Sequence, residues 1–202
     1  MSGEKWIYRH DDSQTIDELP EWVGVPPRQY LDDFLSLGRD VAEYTQREYI
    51  YPQSDASLLD YVSTEGTCGL FSQRFVSIIT PYLQPSFSLL PATLDGHPFF
   101  FLRREGSVDC LDVAQSTVRY FDDDNPAKLM SITSFSFLTE KLNRPLVFGL
   151  PGYFGRIFWT KPIVDICLEA RLNGIRFISI DRINKNGGHL PPVWQPDNAG
   201  DE

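Results

Sequence analysis

Leu70-Phe71-Ser72-Gln73-Arg74-Phe75-Val76-Ser77-Ile78-Ile79 and, 88 positions later, Phe158-Trp159-Thr160-Lys161-Pro162-Ile163-Val164-Asp165-Ile166-Cys167 carry one pattern twice. Each copy is an apolar, strand-like run that stops at a hydroxyl residue, the side-chain type able to accept from the orphan N–H groups of a first helical turn. Apolar residues then recur at i, i+3, i+4 and i+7: Phe75, Ile78, Ile79 and Tyr82 in the first copy, Ile163, Ile166, Cys167 and Ala170 in the second. That spacing places four side chains on one helical face. A β-prone run follows each time, Phe87–Leu90 and Ile175–Ile180. The chain is therefore expected to hold two equivalent strand–helix–strand units, with Ser72 and Thr160 as helix caps. The repeat describes packing and carries no nucleophile, base or metal ligand.

Around these units the reading extends to an α+β fold with a mixed or antiparallel sheet and an N-terminal helical part. Lys5–Tyr8 reads as a first strand and Glu48–Tyr51 as another, stopped by Pro52. Between them, Tyr30, Phe34, Leu37, Val41 and Tyr44 recur every three or four residues from Gln29 to Tyr44, with Asp32, Asp33, Asp40 and Glu43 between them. This predicts an amphipathic helix with an acidic outer face. Asp95-Gly96 between Phe87–Leu94 and Pro98–Arg103 predicts a hairpin. Ser116–Phe121 is β-prone, Lys128–Leu138 suits strand or helix, and Asp122-Asp123-Asp124-Asn125-Pro126 must be loop. Leu146–Phe148 and Arg156–Trp159 read as strands joined by a wide turn, Gly149–Gly155. The second repeat helix is expected to end at Asn173-Gly174, with Gly174 in a left-handed cap. These signals divide the 202 residues into an acidic N-terminal part (1–65), an α+β core (66–183) and a loosely ordered Gly-, Pro- and Asn-rich tail (184–202).

A hydrophobic content of 42 % suffices for a buried core. No run approaches the roughly 18 apolar residues of a membrane span, and Met1–Trp6 lacks a signal pattern, so a cytoplasmic protein without a membrane partner is expected. The net charge of −10 is uneven: residues 1–65 hold 14 acidic and 5 basic side chains, and residues 66–202 hold 14 and 13. Such a front repels phosphate backbones, which argues against a nucleic-acid partner, and steers a basic protein toward it.

No metal or cofactor pattern emerges. Cys68, Cys110 and Cys167 form no CxxC pair and read as buried free thiols. His10, His97 and His189 are far apart in loop-like settings. Asp109 and Asp112 bracket Cys110-Leu111 and invite a paired-carboxylate reading, but nothing in the sequence shows facing carboxylates in a cleft, and loop or turn structure is the favoured reading. The glycines of 149–155 lack a GK[ST] ending and a following helix, so they are not a phosphate loop, and Asp122–Asp124 lack the ligand spacing of a calcium loop.

The stretch Leu70–Val76, then Val108-Asp109-Cys110-Leu111-Asp112 and Ser116-Thr117-Val118, followed by Ile157–Thr160 and Leu172–Phe177, resembles immunity family eleven of bacterial polymorphic toxin systems across about residues 67–180. The resemblance implies an α+β protein that is not an enzyme. It would bind a cognate secreted toxin inside the producing cell and neutralise it, in the setting of bacterial competition and systems such as type VI secretion. It offers no catalytic residues and no cofactor to carry over. Charge adds that the toxin is basic, as nucleases commonly are, and that Asp32, Asp33, Asp40, Glu43, Asp122, Asp123 and Asp124 face it. Two alternatives stand beside this reading: a small-molecule-binding domain or enzyme with a pocket at Tyr153, Phe154, Phe158 and Trp159, and an adaptor that loads a secreted effector.

Overall fold

The computed structural model describes residues 7–10, 21–22, 48–50, 59–63, 69–83, 86–94, 96–121 and 128–189. The acidic helix expected over residues 29–44, Cys68, the tail beyond His189 and all seven acidic residues assigned to the toxin lie outside them. Two larger sheets and a two-stranded ribbon make up the fold, with helices set against them, and the expected α+β class holds.

The first repeat unit lies in a six-stranded sheet. β5 (Gly69–Ser72) leads into α1 (Gln73–Ile79), a single turn of 3-10 helix (Thr80–Tyr82) follows, and β6 (Phe87–Leu94) turns through the expected hairpin into β7 (His97–Arg104). β7 pairs antiparallel with both β5 and β6, so it lies between the two strands of the unit. The outer positions are taken by β4 (Tyr61–Ser63), antiparallel to β5, and by β3 (Glu48–Ile50), parallel to β6 and followed by β2 (Glu21–Trp22). The second unit repeats this plan in a four-stranded sheet. β11 (Tyr153–Thr160) leads into α2 (Lys161–Glu169) and then β12 (Phe177–Ser179). The strand between them is β1 (Ile7–His10), antiparallel to both, and β10 (Val147–Leu150) closes the other edge. Each unit is thus a split strand–helix–strand whose gap is filled by a strand from elsewhere in the chain, a geometry compatible with a crossover helix that packs back on its own sheet.

α1 and α2 pack against one another, and their buried faces agree at the offset of 88: Phe75 with Ile163, Val76 with Val164, Ile79 with Cys167. The phase differs from the one expected. Ile78 and Ile166 are only partly covered, while Val76 and Val164 are buried, because the two helices face each other as well as their sheets. Trp159 joins the halves: its ring lies 6.1 Å from Phe75, 6.4 Å from Phe71 and 5.4 Å from Phe177, within the range of favourable aromatic pairing. A second cluster fills the other face of the four-stranded sheet, where Ile7, Phe148, Leu150, Phe158 and Ile178 meet the ribbon and α3 (Ile180–Lys185), a helix not expected from sequence, whose first residue closes the β-prone run Ile175–Ile180. Alternation along the strands does the sorting: Leu146, Phe148 and Leu150 point to this cluster and Val147 to the inter-helix core.

Three local expectations are corrected. Ser72 caps α1 as expected, its Oγ accepting the Phe75 N–H at 3.1 Å. Thr160 holds the cap position of α2 but makes no cap bond. The hydroxyl instead accepts the Leu146 N–H at 2.9 Å, extending the β10–β11 ladder by one residue, although Ile163 stands where Phe75 does in the first copy. The α2 terminus also comes earlier than expected. Arg171 takes the left-handed conformation (φ 52°), with its N–H bonded to Leu168 O and that of Leu172 to Cys167 O, a Schellman arrangement. Gly174 (φ 79°) is needed for another reason, since a Cβ there would lie 2.2 Å from the Tyr61 carbonyl. Finally, the wide turn is a tight one: β10 and β11 run on to Leu150 and Tyr153, and Pro151-Gly152 suffice because Gly152 accepts φ 65°.

Candidate interaction surface

The ribbon consists of β8 (Thr117–Tyr120) and β9 (Leu129–Ser134), antiparallel, with register shifts that leave Met130 and Thr133 as extra residues on β9. A bulge re-aims side chains, and here it lets Leu129 and Ile132 both point inward, with Val118 and Tyr120, onto the cluster beneath. The outward positions Thr117, Arg119 and Thr133 are exposed. At the connecting end of the ribbon Phe121 is 69 % and Met130 46 % exposed, two of the four large apolar side chains open to solvent among the described residues. The Phe121 N–H donates to Lys128 O at 3.2 Å, so the ladder continues past β8 to the point where the acidic run begins. Asp122, Asp123 and Asp124 follow Phe121 directly in sequence. Exposed aromatic and thioether groups beside charge are the composition of a protein-docking surface rather than of a catalytic cleft.

The base of the ribbon is held firmly. Ser136 N–H donates to Ser116 Oγ at 2.9 Å and Asp112 N–H to Ser136 O at 2.9 Å, while near the connecting end the Leu129 N–H donates to Gly152 O at 2.8 Å. Asn184 on α3 accepts the Phe135 N–H at 2.7 Å and donates Nδ2 to Phe135 O at 2.8 Å, closing a two-bond clamp. The exposed end therefore stands on a rigid support, as a recognition element requires.

The other candidate chemistries resolve into structural work. Asp112 accepts the Gln115 N–H at 3.2 Å in a turn, while Asp109 faces Lys141 Nζ at 3.4 Å, so the two carboxylates are not a facing pair. Cys110 and Cys167 are buried free thiols, and burial pushes both up to about 12, far from the thiolate range in which cysteine is a nucleophile. His97 and His189 are exposed. Phe158 and Trp159 are fully buried as core and Tyr153 is half-buried; Phe154 lies outside the side chains described.

Sequence reasoning missed the feature that joins the two units. Asp60, 5 % exposed, accepts from Ser72 Oγ at 3.0 Å through Oδ1, and from Arg74 Nη1 at 2.8 Å and the Asn173 N–H at 3.0 Å through Oδ2. Its own N–H donates to Asn173 Oδ1 at 2.7 Å. Ser72 and Arg74 belong to the first unit and Asn173 to the second, so one carboxylate ties both together. Arg104 makes a parallel tie: from the end of β7 its Nη1 donates to Tyr153 O at 3.0 Å and its Nη2 to Leu150 O, with its guanidinium seated over Gly149, where a Cβ would lie 2.8 Å from it. Burial lowers the pKa of that guanidinium, and the backbone carbonyls compensate its charge.

Compared with models of known families, residues 92–182 match the Immunity protein family (Imm11). The matched stretch opens in β6, closes in α3 and contains the ribbon, β10, β11, α2 and β12, under half of the 202 residues. The resemblance expected from sequence is thereby shown over those residues; its earliest part, Leu70–Val76, lies before them. No curated protein matches the chain.

Proposed function

We propose that the chain is an immunity protein that binds a cognate bacterial toxin and neutralises it in the cytoplasm of the cell that produces it, by occlusion and without catalysis. The observation that carries this reading is the immunity-family match over residues 92–182, the stretch that also holds the ribbon with its exposed Phe121 and Met130. An inhibitor of this kind needs an anchor and a field. The exposed pair supplies apolar anchors of the type that dominate interface energetics. The charge of −10 supplies steering toward a basic partner, a nuclease being the natural case because its own substrate is a polyanion. In this proposal Asp122, Asp123 and Asp124 form the rim beside the anchors, and Asp32, Asp33, Asp40 and Glu43 belong to the toxin-facing surface.

Co-expression tests it: in a host made sick by the toxin encoded beside this chain, the wild-type chain restores growth. Combined charge reversal at Asp32, Asp33, Asp40 and Glu43 is expected to slow association with the purified toxin and flatten its salt dependence, since rim charges act mainly on the on-rate. A quadruple variant with unchanged on-rate and salt dependence would confine the interface to residues 66–202.

A further inference from the structure

Between the base of the ribbon, β1 and the first turn of α3 lies a cleft of about 160 Å³. Its walls are apolar, from Ile7, Phe135, Phe137 and Ile180, and the rings of Phe135 and Phe137 stack 5° from parallel with centroids 6.0 Å apart. Its rim is polar, from Ser136, Thr139 and Asp181. The cavity is smaller than the roughly 300–1,000 Å³ that encloses a drug-sized ligand, so it suits a single side chain. Among the described residues Asp181 is the one charged group of the lining; it is half-buried and has no ion-pair or hydrogen-bond partner among them. The helix does not need that carboxylate as its cap, because Ser179 already accepts the Arg182 N–H. An acid in a first turn has some favourable interaction with the backbone dipoles. That accounts for the charge but not for the cleft beside it. The clamp of Asn184 on Phe135 and the bond between Ser136 and Ser116 hold two of the walls in place.

We infer that this cleft receives a lysine or arginine side chain from the bound protein, the aliphatic stem lying along Phe135, Phe137 and Ile180 and the cationic head meeting the Asp181 carboxylate. An open cleft lined by both apolar and polar groups, with one acid among them, matches a side chain that lays its methylenes on apolar surface and keeps its charge at the end. Pairing with a half-buried carboxylate that has no other partner restores what its partial desolvation cost, and the charge of the whole chain draws cations toward it. The inference rests on the immunity reading for its partner and deepens it, placing a specificity contact at the foot of the ribbon, apart from the exposed pair at its end.

The test is an amide chemical-shift titration of the full chain with N-acetyl-L-lysine amide, N-acetyl-L-arginine amide and the neutral N-acetyl-L-norleucine amide. The cationic probes are expected to shift Ser136–Thr139 and Asp181 saturably, at least tenfold more tightly than norleucine. Asp181→Asn should remove that tenfold difference, and Thr139→Trp, a change at an exposed rim position, should fill the cleft and abolish saturation by every probe. Equal binding of the neutral and cationic probes, or no saturable response at these residues, overturns the inference. Either result is independent of the parent reading. A chain that protects against its toxin yet ignores the amides loses only the cleft, and one that binds the amides but gives no protection loses the immunity role.

Discussion

Two hydroxyl residues at equivalent places in a repeat have come to do different work, one at its helix and one at its sheet. With a backbone N–H available at Phe75, Ser72 caps its helix and also donates to Asp60. Thr160 makes no cap bond to its helix and satisfies the buried Leu146 N–H of the sheet. Thr160→Ala therefore strands a buried donor and is expected to cost about 1–3 kcal/mol, whereas Thr160→Ser keeps the bond and most of the stability. Urea denaturation of both variants checks this; equal midpoints for wild type and Thr160→Ala would show that the hydroxyl is idle. The thiols give a second prediction at this scale. Cys110 and Cys167, raised to about 12 by burial, should stay unmodified by a thiol-reactive disulfide at pH 8 in the folded Cys68→Ser variant and react only when denatured. Rapid labelling of either under native conditions would contradict their burial. Neither the clamp at Asp60 nor that at Arg104 was legible beforehand, because each joins residues more than 40 positions apart through bonds that no local spacing encodes.

At the scale of elements, the repeat was legible because a capped amphipathic helix between two β-prone runs is a short-range signal. Its rotational phase was not. Periodicity names an apolar stripe, but which flank of the stripe is deepest depends on a neighbour, here the other helix. Val164 is 2 % exposed and Ile166 partly open. Val164→Asp should accordingly destabilise by several kcal/mol, against a total of about 5–15, and Ile166→Asp by distinctly less. Thermal melts of the pair decide, and an equal loss would restore the phase expected from sequence alone. The turn at Pro151-Gly152 was misjudged in length for a similar reason: three glycines in seven residues suggest slack, yet only Gly152 serves as a turn residue there, while Gly149 makes room for Arg104. α3 went unread since Ile175–Ile180 looks β-prone throughout and the switch to helix depends on Ser179 as a cap.

For the whole molecule, two copies of a split strand–helix–strand, joined through their helices and through Asp60, form a rigid body from which the ribbon presents Phe121 and Met130 to solvent. The apolar pair was hidden in sequence, where Phe121 reads as the last residue of a strand, and only the register shift at Met130 explains its exposure. The acidic run that follows Phe121 in sequence was plain from composition, and the family resemblance from short motifs, which fall within the matched residues 92–182 except for Leu70–Val76. An occluding inhibitor and an enzyme that modifies its target would both protect a cell, but they differ in stoichiometry. The account is therefore tested most directly by titrating a fixed amount of the purified toxin with this chain while following the toxin's activity. Occlusion predicts a linear fall that ends at one chain per toxin, with full activity recovered from the toxin after the complex is separated in denaturant and refolded; complete loss at a small fraction of an equivalent, or no loss at any ratio, would contradict it.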